Sequence, residues 1–297
     1  MLRFTEPVFR PPMEAQSVLV RGTQSCTWNK CNFCYMSQGY PFMAASLEHM
    51  EKEICSQKHL FGSDPSIFMI GSNPFTLPVG TLRQYAELLR EHFPDFIKIS
   101  MHSRVDDIEK KTDEELQLLH DWGIRHLFIG TENGNEEALR IMNKGHTARQ
   151  AREQLWRLDA VGIKYTCQYI IGMAGKGRGR ESGVATAEFL NSVHAERVMP
   201  TGLTVFSGSS LPEMVKSGEF VEASEKEKME EMLFFFEHLT ADLYYEAVHY
   251  LNPLHFRFQT GHRDMMLNVI AHIKEILATR SEEELEMIVN RQAMHSL

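Results

Sequence analysis

The chain has 297 residues, enough to bury a sizeable core as one barrel or as two small domains. Its hydrophobic share of 43% and charged share of 24% are typical of a soluble globular protein. A formal net charge of −9 excludes a general attraction to nucleic-acid phosphates or to anionic membranes, although a local basic groove is compatible with it. The N-terminus lacks an apolar signal region, and no apolar run approaches the roughly 18 residues of a membrane-spanning helix. These features predict a cytoplasmic protein without a membrane partner.

Short apolar strands alternate with amphipathic helices over the first two thirds of the chain. The predicted strands are 17–20, 67–70, 96–101, 125–130, 164–172 and 197–206, and the predicted helices are 44–60, 81–92, 112–122, 136–142, 147–160 and 182–195. Thr112 and Glu115 form a capping-box pattern at the start of one helix, and Gly123 is placed to end it. This alternation predicts parallel strands joined by helical crossovers.

Right-handed crossovers between six such strands would curl the sheet into a (βα)6 partial TIM-type barrel, an α/β fold. The composition changes near residue 220, where a charged helix over 225–239, a Tyr/His-rich stretch and a helix over 264–279 follow. We therefore predict a partial barrel over 1–220 and a mostly helical C-terminal cap over 221–297, because so short a helical segment would form a marginal core alone.

Three of the five cysteines, Cys26, Cys31 and Cys34, follow the first predicted strand with the spacing C-x4-C-x2-C. Thiolates this close in sequence converge on a soft metal centre when the chain wraps it as a loop, and the candidates are Zn²⁺ and an iron–sulfur cluster. Structural zinc requires four ligands, and His49, the nearest downstream histidine, has no histidine at i+4. Three thiolates favour a [4Fe–4S] cluster with one iron open to a substrate. A zinc-stabilised binding protein without catalytic activity remains an alternative.

The cysteine loop resembles that of the radical SAM superfamily, in which three cysteines follow the first strand of a partial barrel. Most members have C-x3-C-x2-C, so this chain carries a variant with one extra residue, and Phe33 occupies the family's aromatic position before the last cysteine. The resemblance is to the branch with Elp3/MiaB/HemN-type core domains, and five further stretches carry it: 10–17, 23–31, 130–134, 141–147 and 208–212.

This resemblance implies a [4Fe–4S] cluster on the three cysteines and S-adenosylmethionine (SAM) as the second cofactor. Reductive cleavage of SAM would give a 5′-deoxyadenosyl radical, and the electron would come from a reductant such as flavodoxin or ferredoxin. In parallel barrels, ligands bind at the carboxyl ends of the strands. The positions that match the family's cofactor contacts are Phe33, Gly71, Ser72, Asn73, Ser100, His102, Arg104, Glu132, Lys144 and Ile171. Relatives carry an acidic residue where this chain has Ser72 and Asn73.

The substrate is expected to be a small molecule, and the residues expected to contact it are Gln168, His249, Asn252 and Arg257. The last three belong to a stretch with more His, Tyr, Asn and Arg than a helix surface requires. Modification of tRNA or of a peptide is the alternative within the family. The acidic net charge and the absence of a recognisable RNA-binding segment make a nucleic-acid partner the weaker hypothesis.

Overall fold

The architecture was derived from a computed structural model, which describes residues 4–62 and 64–294, with the side chain of Gln292 excepted. The strands in these ranges are β1 Val18–Arg21, β2 Thr23–Gln24, β3 Met43–Ala44, β4 Ser66–Ile70, β5 Lys98–Ser103, β6 Ile124–Glu132, β7 Lys164–Ile171, β8 Arg197–Gly202, β9 Tyr244–Ala247 and β10 Phe256–Gln259. The helices are α1 Leu47–Gln57, α2 Val79–His92, α3 Val105–Glu109, α4 Asp113–Asp121, α5 Glu136–Ile141, α6 Ala148–Val161, α7 Gly179–Asn191, α8 Leu211–Ser217, α9 Glu225–His238, α10 Arg263–Thr279 and α11 Glu282–Val289.

The chain forms two compact units, of which the first takes residues up to 29 together with 36–130 and 156–165. In this unit β1, β4, β5 and β6 pair side by side, and each pairing is parallel. The strands are rich in buried apolar residues and lie against the amphipathic helices, as expected for a parallel sheet whose faces are covered. Its buried core includes Val18, Val20, Phe68, Ile99, Met101, Leu82, Leu89, Leu116, Leu119 and Leu127.

The second unit takes residues 30–35, 131–155 and the chain from 166 onward. Here β7, β8 and β9 pair in parallel, and β10 adds to β9 in the antiparallel direction. Helices α7 and α9 pack closely because Gly183 has no side chain: a Cβ there would lie 2.4 Å from the backbone oxygen of Glu231. An aromatic cluster forms the adjoining core, and its members are Tyr169, Phe235, Phe236, Tyr245, Phe256 and Phe258.

The predicted α/β class is confirmed, and so is the predicted cap of α4. The Thr112 hydroxyl accepts a hydrogen bond from the Glu115 N–H, and the Glu115 carboxylate accepts one from the Thr112 N–H. The C-terminal extension contains α9, α10 and α11, in agreement with the mostly helical prediction, and also β9 and β10, which continue the strand series and were not predicted. The predicted boundary at residue 220 stays a prediction. Within the described ranges, no helix is long and apolar enough to cross a membrane.

Candidate active site

The cysteine loop lies between β2 and β3, in a backbone shape that is unusual for L-residues. Ser25 and Asn29 both adopt positive φ, at 66° and 47°. Cys31 is buried, Cys26 and Cys34 are half-buried, and none of the cysteines is joined in a disulfide. Across residues 4–62 and 64–294 no three His, Cys, Asp or Glu side chains meet in a metal-binding group. The loop therefore supplies three soft thiol donors for a metal centre, but in this structure their sulfur atoms do not converge on one point.

The start of this loop is fixed by Glu6, a residue that no sequence pattern singled out. One carboxylate oxygen accepts a hydrogen bond from the backbone N–H of Ser25 at 3.0 Å. The other lies 3.0 Å from the hydroxyls of Ser37 and Ser72, which are 2.7 Å from each other. Glu6 itself is buried, and its segment is held by the side chain of Gln24 on β2.

The turn after β4 contains the predicted Gly71, Ser72 and Asn73. Gly71 has a φ of 142°, and a Cβ there would lie 2.2 Å from Thr23 Oγ1, so this turn requires glycine. The Asn73 amide is fully engaged: its oxygen accepts from the Thr27 N–H, and its nitrogen donates to Thr27 Oγ1 and to Asp107. Because Ser72 also bonds within the protein, this turn can offer a ligand its backbone groups more readily than its side chains.

Three predicted residues lie on β5 or directly after it. Ser100 is buried and donates its hydroxyl to the Ile67 carbonyl at 3.1 Å. Arg104 is the residue before α3, with its guanidinium 2.7 Å from Asp106 and 5.3 Å from the Trp28 ring. Both therefore have clear structural roles in this unit.

His102, the third of these residues, packs against the rings of Phe68 and Phe128. Burial lowers the pKa of His102 to about 4, so the ring is neutral near pH 7. Its Nε2 is buried, and within the described part of the chain it has no hydrogen-bond partner. A buried ring nitrogen in this state is suited to a polar group supplied by a ligand.

In the second unit, three predicted cofactor-binding residues come together. Lys144 Nζ lies 2.8 Å from Glu132 Oε1 in a buried ion pair, and 6.0 Å from the centre of the Phe33 ring. Glu132 adopts a φ of 64° directly at the end of β6. An aromatic face, a carboxylate and an ammonium group thus lie next to each other at the carboxyl end of a strand.

The segment that carries Cys31 and Cys34 is docked in this unit by the end of α5. Asn32 donates its backbone N–H to the Met142 carbonyl at 2.9 Å and its side-chain amide to the Ile141 carbonyl at 2.8 Å. The Asn143 amide donates to the Lys30 carbonyl at 2.8 Å. The sequence shows both Asn32 and Asn143, but it does not show that each bonds to a residue more than 100 positions away.

Strand β7 alternates between its two faces. Ile171 is fully buried on the same side as Tyr169, whereas Gln168 and Ile170 are half-buried on the opposite side. Tyr169 donates its hydroxyl to Glu231 on α9, so the buried side faces the helices. Of the two predicted residues on this strand, Gln168 is therefore the accessible one, and Ile171 can reach a ligand only through its backbone.

Glu231 is a second buried carboxylate that the sequence did not reveal. It accepts hydrogen bonds from the Tyr169 hydroxyl, the Ser182 hydroxyl and the Gly172 N–H, at 2.7, 2.7 and 2.8 Å. Burial raises the pKa of Glu231 to about 7. This side chain fixes the turn that follows β7, at the edge where parallel sheets bind their ligands.

Two of the three C-terminal candidates lie in the connection between β9 and β10. Asn252 is buried and donates to the Pro200 carbonyl at 3.0 Å, while its Oδ1 is buried without a partner in the described ranges. His249 is half-buried and stacks on Tyr250, and burial together with nearby His255 lowers its pKa. Arg257 is exposed on β10 and does not join them. Tyr245, in the same stretch, packs in the aromatic core.

A family model for the radical SAM superfamily matches residues 20–190, more than half of the chain. The chain belongs to the radical SAM superfamily. It is therefore an enzyme of the radical SAM class, and the family's [4Fe–4S] cluster and SAM are its cofactors.

Among curated proteins, this radical SAM enzyme is 25% identical over 198 residues to the uncharacterised protein MJ0486 of Methanocaldococcus jannaschii, covering 65% of this chain and 59% of that protein. Among solved structures, it is similar to the radical SAM methyltransferase TsrM of Kitasatospora setae with cobalamin and a [4Fe–4S] cluster bound, with 16% identity, a TM-score of 0.54, and coverage of 68% of this chain and 39% of that one. Methylornithine synthase (PylB) matches with 15% identity, a TM-score of 0.53, and coverage of 92% and 85%. At these identities the solved structures establish the fold alone, a partial TIM-type barrel. The chain spans less than two thirds of MJ0486 and of TsrM.

Proposed function

We propose that this enzyme holds its [4Fe–4S] cluster on Cys26, Cys31 and Cys34 and generates a 5′-deoxyadenosyl radical that abstracts hydrogen from a small molecule. The observation that carries the proposal is the loop itself. Its three thiols lie within nine residues, inside the segment that matches the family, and its flanks are held by Glu6 on one side and by α5 on the other. When bound, the cluster and SAM supply the reductive cleavage of the sulfonium bond.

SAM would be oriented by residues at positions that match the family's cofactor contacts. Lys144 offers a cation for the SAM carboxylate, Glu132 an acceptor for its amino group or ribose hydroxyls, and Phe33 a ring face for the adenine. His102 offers its buried Nε2 to a polar group of the ligand. Gly71 would contribute backbone contacts, because its neighbours Ser72 and Asn73 bond to the protein.

The substrate would meet Gln168, His249 and Asn252, which are half-buried or carry an orphaned polar atom. Arg257 is the weakest candidate because it is exposed on β10. We propose a small-molecule substrate rather than tRNA because the net charge of −9 opposes phosphate binding. Flavodoxin or ferredoxin is the proposed electron donor.

The cluster assignment is tested by anaerobic reconstitution with iron and sulfide, followed by incubation with dithionite and SAM. The wild-type protein should turn brown and release 5′-deoxyadenosine. Cys31→Ala should not hold the cluster, because it lacks one cluster ligand, and its rate of SAM cleavage should fall at least about 100-fold. Cys55→Ala, which alters an exposed cysteine on α1, is the matched control and should behave as wild type. A colourless zinc protein, or a cluster that survives Cys31→Ala unchanged, would contradict the proposal.

The substrate class is tested by transfer of deuterium into 5′-deoxyadenosine. Perdeuterated extracts are separated into small metabolites, peptides and tRNA, and each fraction is incubated with the reconstituted enzyme. Deuterium transfer from the metabolite fraction supports the proposal, and transfer confined to the tRNA or peptide fraction contradicts it.

A further inference from the structure

Glu6 joins three segments around the cysteine loop. Ser25 immediately precedes Cys26, Ser37 comes three residues after Cys34, and Ser72 lies in the turn after β4. All three hydrogen-bond to the one carboxylate, which is only 5% exposed. Asp107 also accepts a hydrogen bond from Asn73 in the turn after β4, but the bonds of Glu6 reach all three segments.

The backbone of the loop needs such a support. Ser25 has a left-handed φ, which costs a non-glycine residue about 1 kcal/mol or more unless its surroundings hold it. Its N–H is held by Glu6, and its hydroxyl contacts the Ser37 carbonyl at 3.3 Å. The Asn29 amide donates to the same carbonyl at 3.0 Å. Ser37 therefore links Glu6 to Ser25 and Asn29, the two loop residues with positive φ, because it bonds to all three.

Arg21, a basic residue on which the Glu6 carboxylate acts, is itself buried. The Arg21 guanidinium lies over the Phe4 ring at 5.5 Å, and its Nη1 has no hydrogen-bond partner in the ranges described. Burial lowers the pKa of Arg21, while Glu53 and Glu6 raise it. Within the described residues Glu6 forms no ion pair, so two hydroxyls and an N–H solvate its carboxylate, and its charge acts on the adjoining loop.

We propose that Glu6 is a positioning residue for the iron–sulfur centre, fixing the entry to the cysteine loop and lowering the reduction potential of the cluster. This inference rests on the proposed function, because it requires the cluster on Cys26, Cys31 and Cys34. A negative charge beside a cluster opposes addition of an electron, and reduction potentials of such clusters respond to net charge and hydrogen bonding nearby.

The test compares Glu6→Gln with Glu14→Gln in the full-length, anaerobically reconstituted protein without SAM. Glu14 is an equally buried carboxylate of the same unit, bonded to Ser17 and Lys98 instead of to the loop segments. Iron per chain and the cluster midpoint potential are measured by redox titration with EPR detection. Glu6→Gln should keep its iron and shift the midpoint to a more positive potential, and Glu14→Gln should match wild type.

A Glu6→Gln midpoint equal to that of wild type, or the same shift in both variants, overturns the inference. If Glu6→Gln fails to fold, Ser72→Ala provides the test, because it removes one hydroxyl donor and keeps the Glu6 carboxylate. It should lose iron to a chelator about tenfold faster than wild type, as expected for one charge-assisted hydrogen bond. An unchanged rate again overturns the inference. Wild-type protein that binds no iron would instead refute the proposed function, so the two failures are distinguishable.

Discussion

Glu6 and Glu231 are two buried carboxylates with the same set of donors, one backbone N–H and two hydroxyls, yet they differ in what those donors belong to. The donors of Glu6 come from three loop segments around the cysteines. The donors of Glu231 come from the end of β7, the turn after it and α7. Glu6 therefore stabilises the conformation of a loop, whereas Glu231 stabilises the packing of helices against a strand.

Their electrostatic surroundings differ as well. Glu6 contributes to raising the pKa of Arg21, a neighbouring cation. Around Glu231 the titratable groups are Tyr169, Tyr245 and Lys228, and only Lys228 carries a positive charge that favours the carboxylate. Burial prevails there and raises the pKa of Glu231 to about 7. Equal hydrogen bonding thus does not give the two carboxylates equal electrostatic surroundings.

Replacing Glu231 with alanine is expected to have the largest effect on stability. Tyr169, Ser182 and Gly172 would lose their acceptor inside the protein, and a cavity would remain, so the free energy of unfolding should fall by about 4 kcal/mol. Glu230→Ala, an exposed change on the same helix, should cost no more than about 0.5 kcal/mol. Urea unfolding measures the free energy of unfolding of both variants. An equal loss in the two would show that Glu231 contributes no more to stability than a surface residue.

The pH dependence of stability is the next largest effect. The pKa of Glu231 is about 7 in the folded protein, against an ordinary value of 4.5 that applies to the unfolded chain. Between these two pH values the folded protein therefore holds a proton on Glu231 that the unfolded chain has lost. The free energy of unfolding should fall by about 3 kcal/mol as the pH rises from about 4.5 through about 7. Unfolding of wild type and Glu231→Gln across this range isolates the effect, since the variant lacks this titration. Parallel curves for the two proteins would contradict the expectation.

Tyr169→Phe should have the smallest effect and gives the finest test. It removes one hydroxyl donor at little change in volume, and should cost about 1 kcal/mol. The Tyr169 hydrogen bond favours the ionised carboxylate, so its loss should raise the pKa of Glu231 further and move the midpoint of the pH dependence upward. A midpoint that stays in place, measured as in the preceding experiment, would show that burial alone sets this pKa.

The sequence predicted the elements whose signals are local. The capping box of Thr112 and Glu115 was confirmed, because both halves of the motif lie within four residues. The hairpin of β9 and β10 was not predicted, since the Tyr/His-rich stretch shows no helical or alternating pattern strong enough to indicate strands. Its Tyr245 is buried by aromatic rings that the fold supplies from α9 and β10.

Within the candidate site, sequence reasoning named Phe33, Glu132 and Lys144 separately, and the structure brings them together. It named Ile171 on β7, but Ile171 is fully buried and Ile170 is the half-buried isoleucine, because adjacent strand residues face opposite sides and only packing decides which side is covered. Glu6 and Glu231 escaped notice for a related reason. Their partners are 19 to 66 residues away in the chain, so no spacing marks them.

The left-handed backbone of Glu132 has a consequence for how this position can vary. Glycine or asparagine at 132 would relax the backbone, since these residues tolerate a φ of 64° best, but either would leave the buried Lys144 ammonium without its carboxylate. Leaving a buried charge unpaired costs about 3 kcal/mol or more, whereas one left-handed residue costs about 1–2 kcal/mol. A random library selected for folding alone should therefore keep an acidic residue at this codon in spite of the strained backbone.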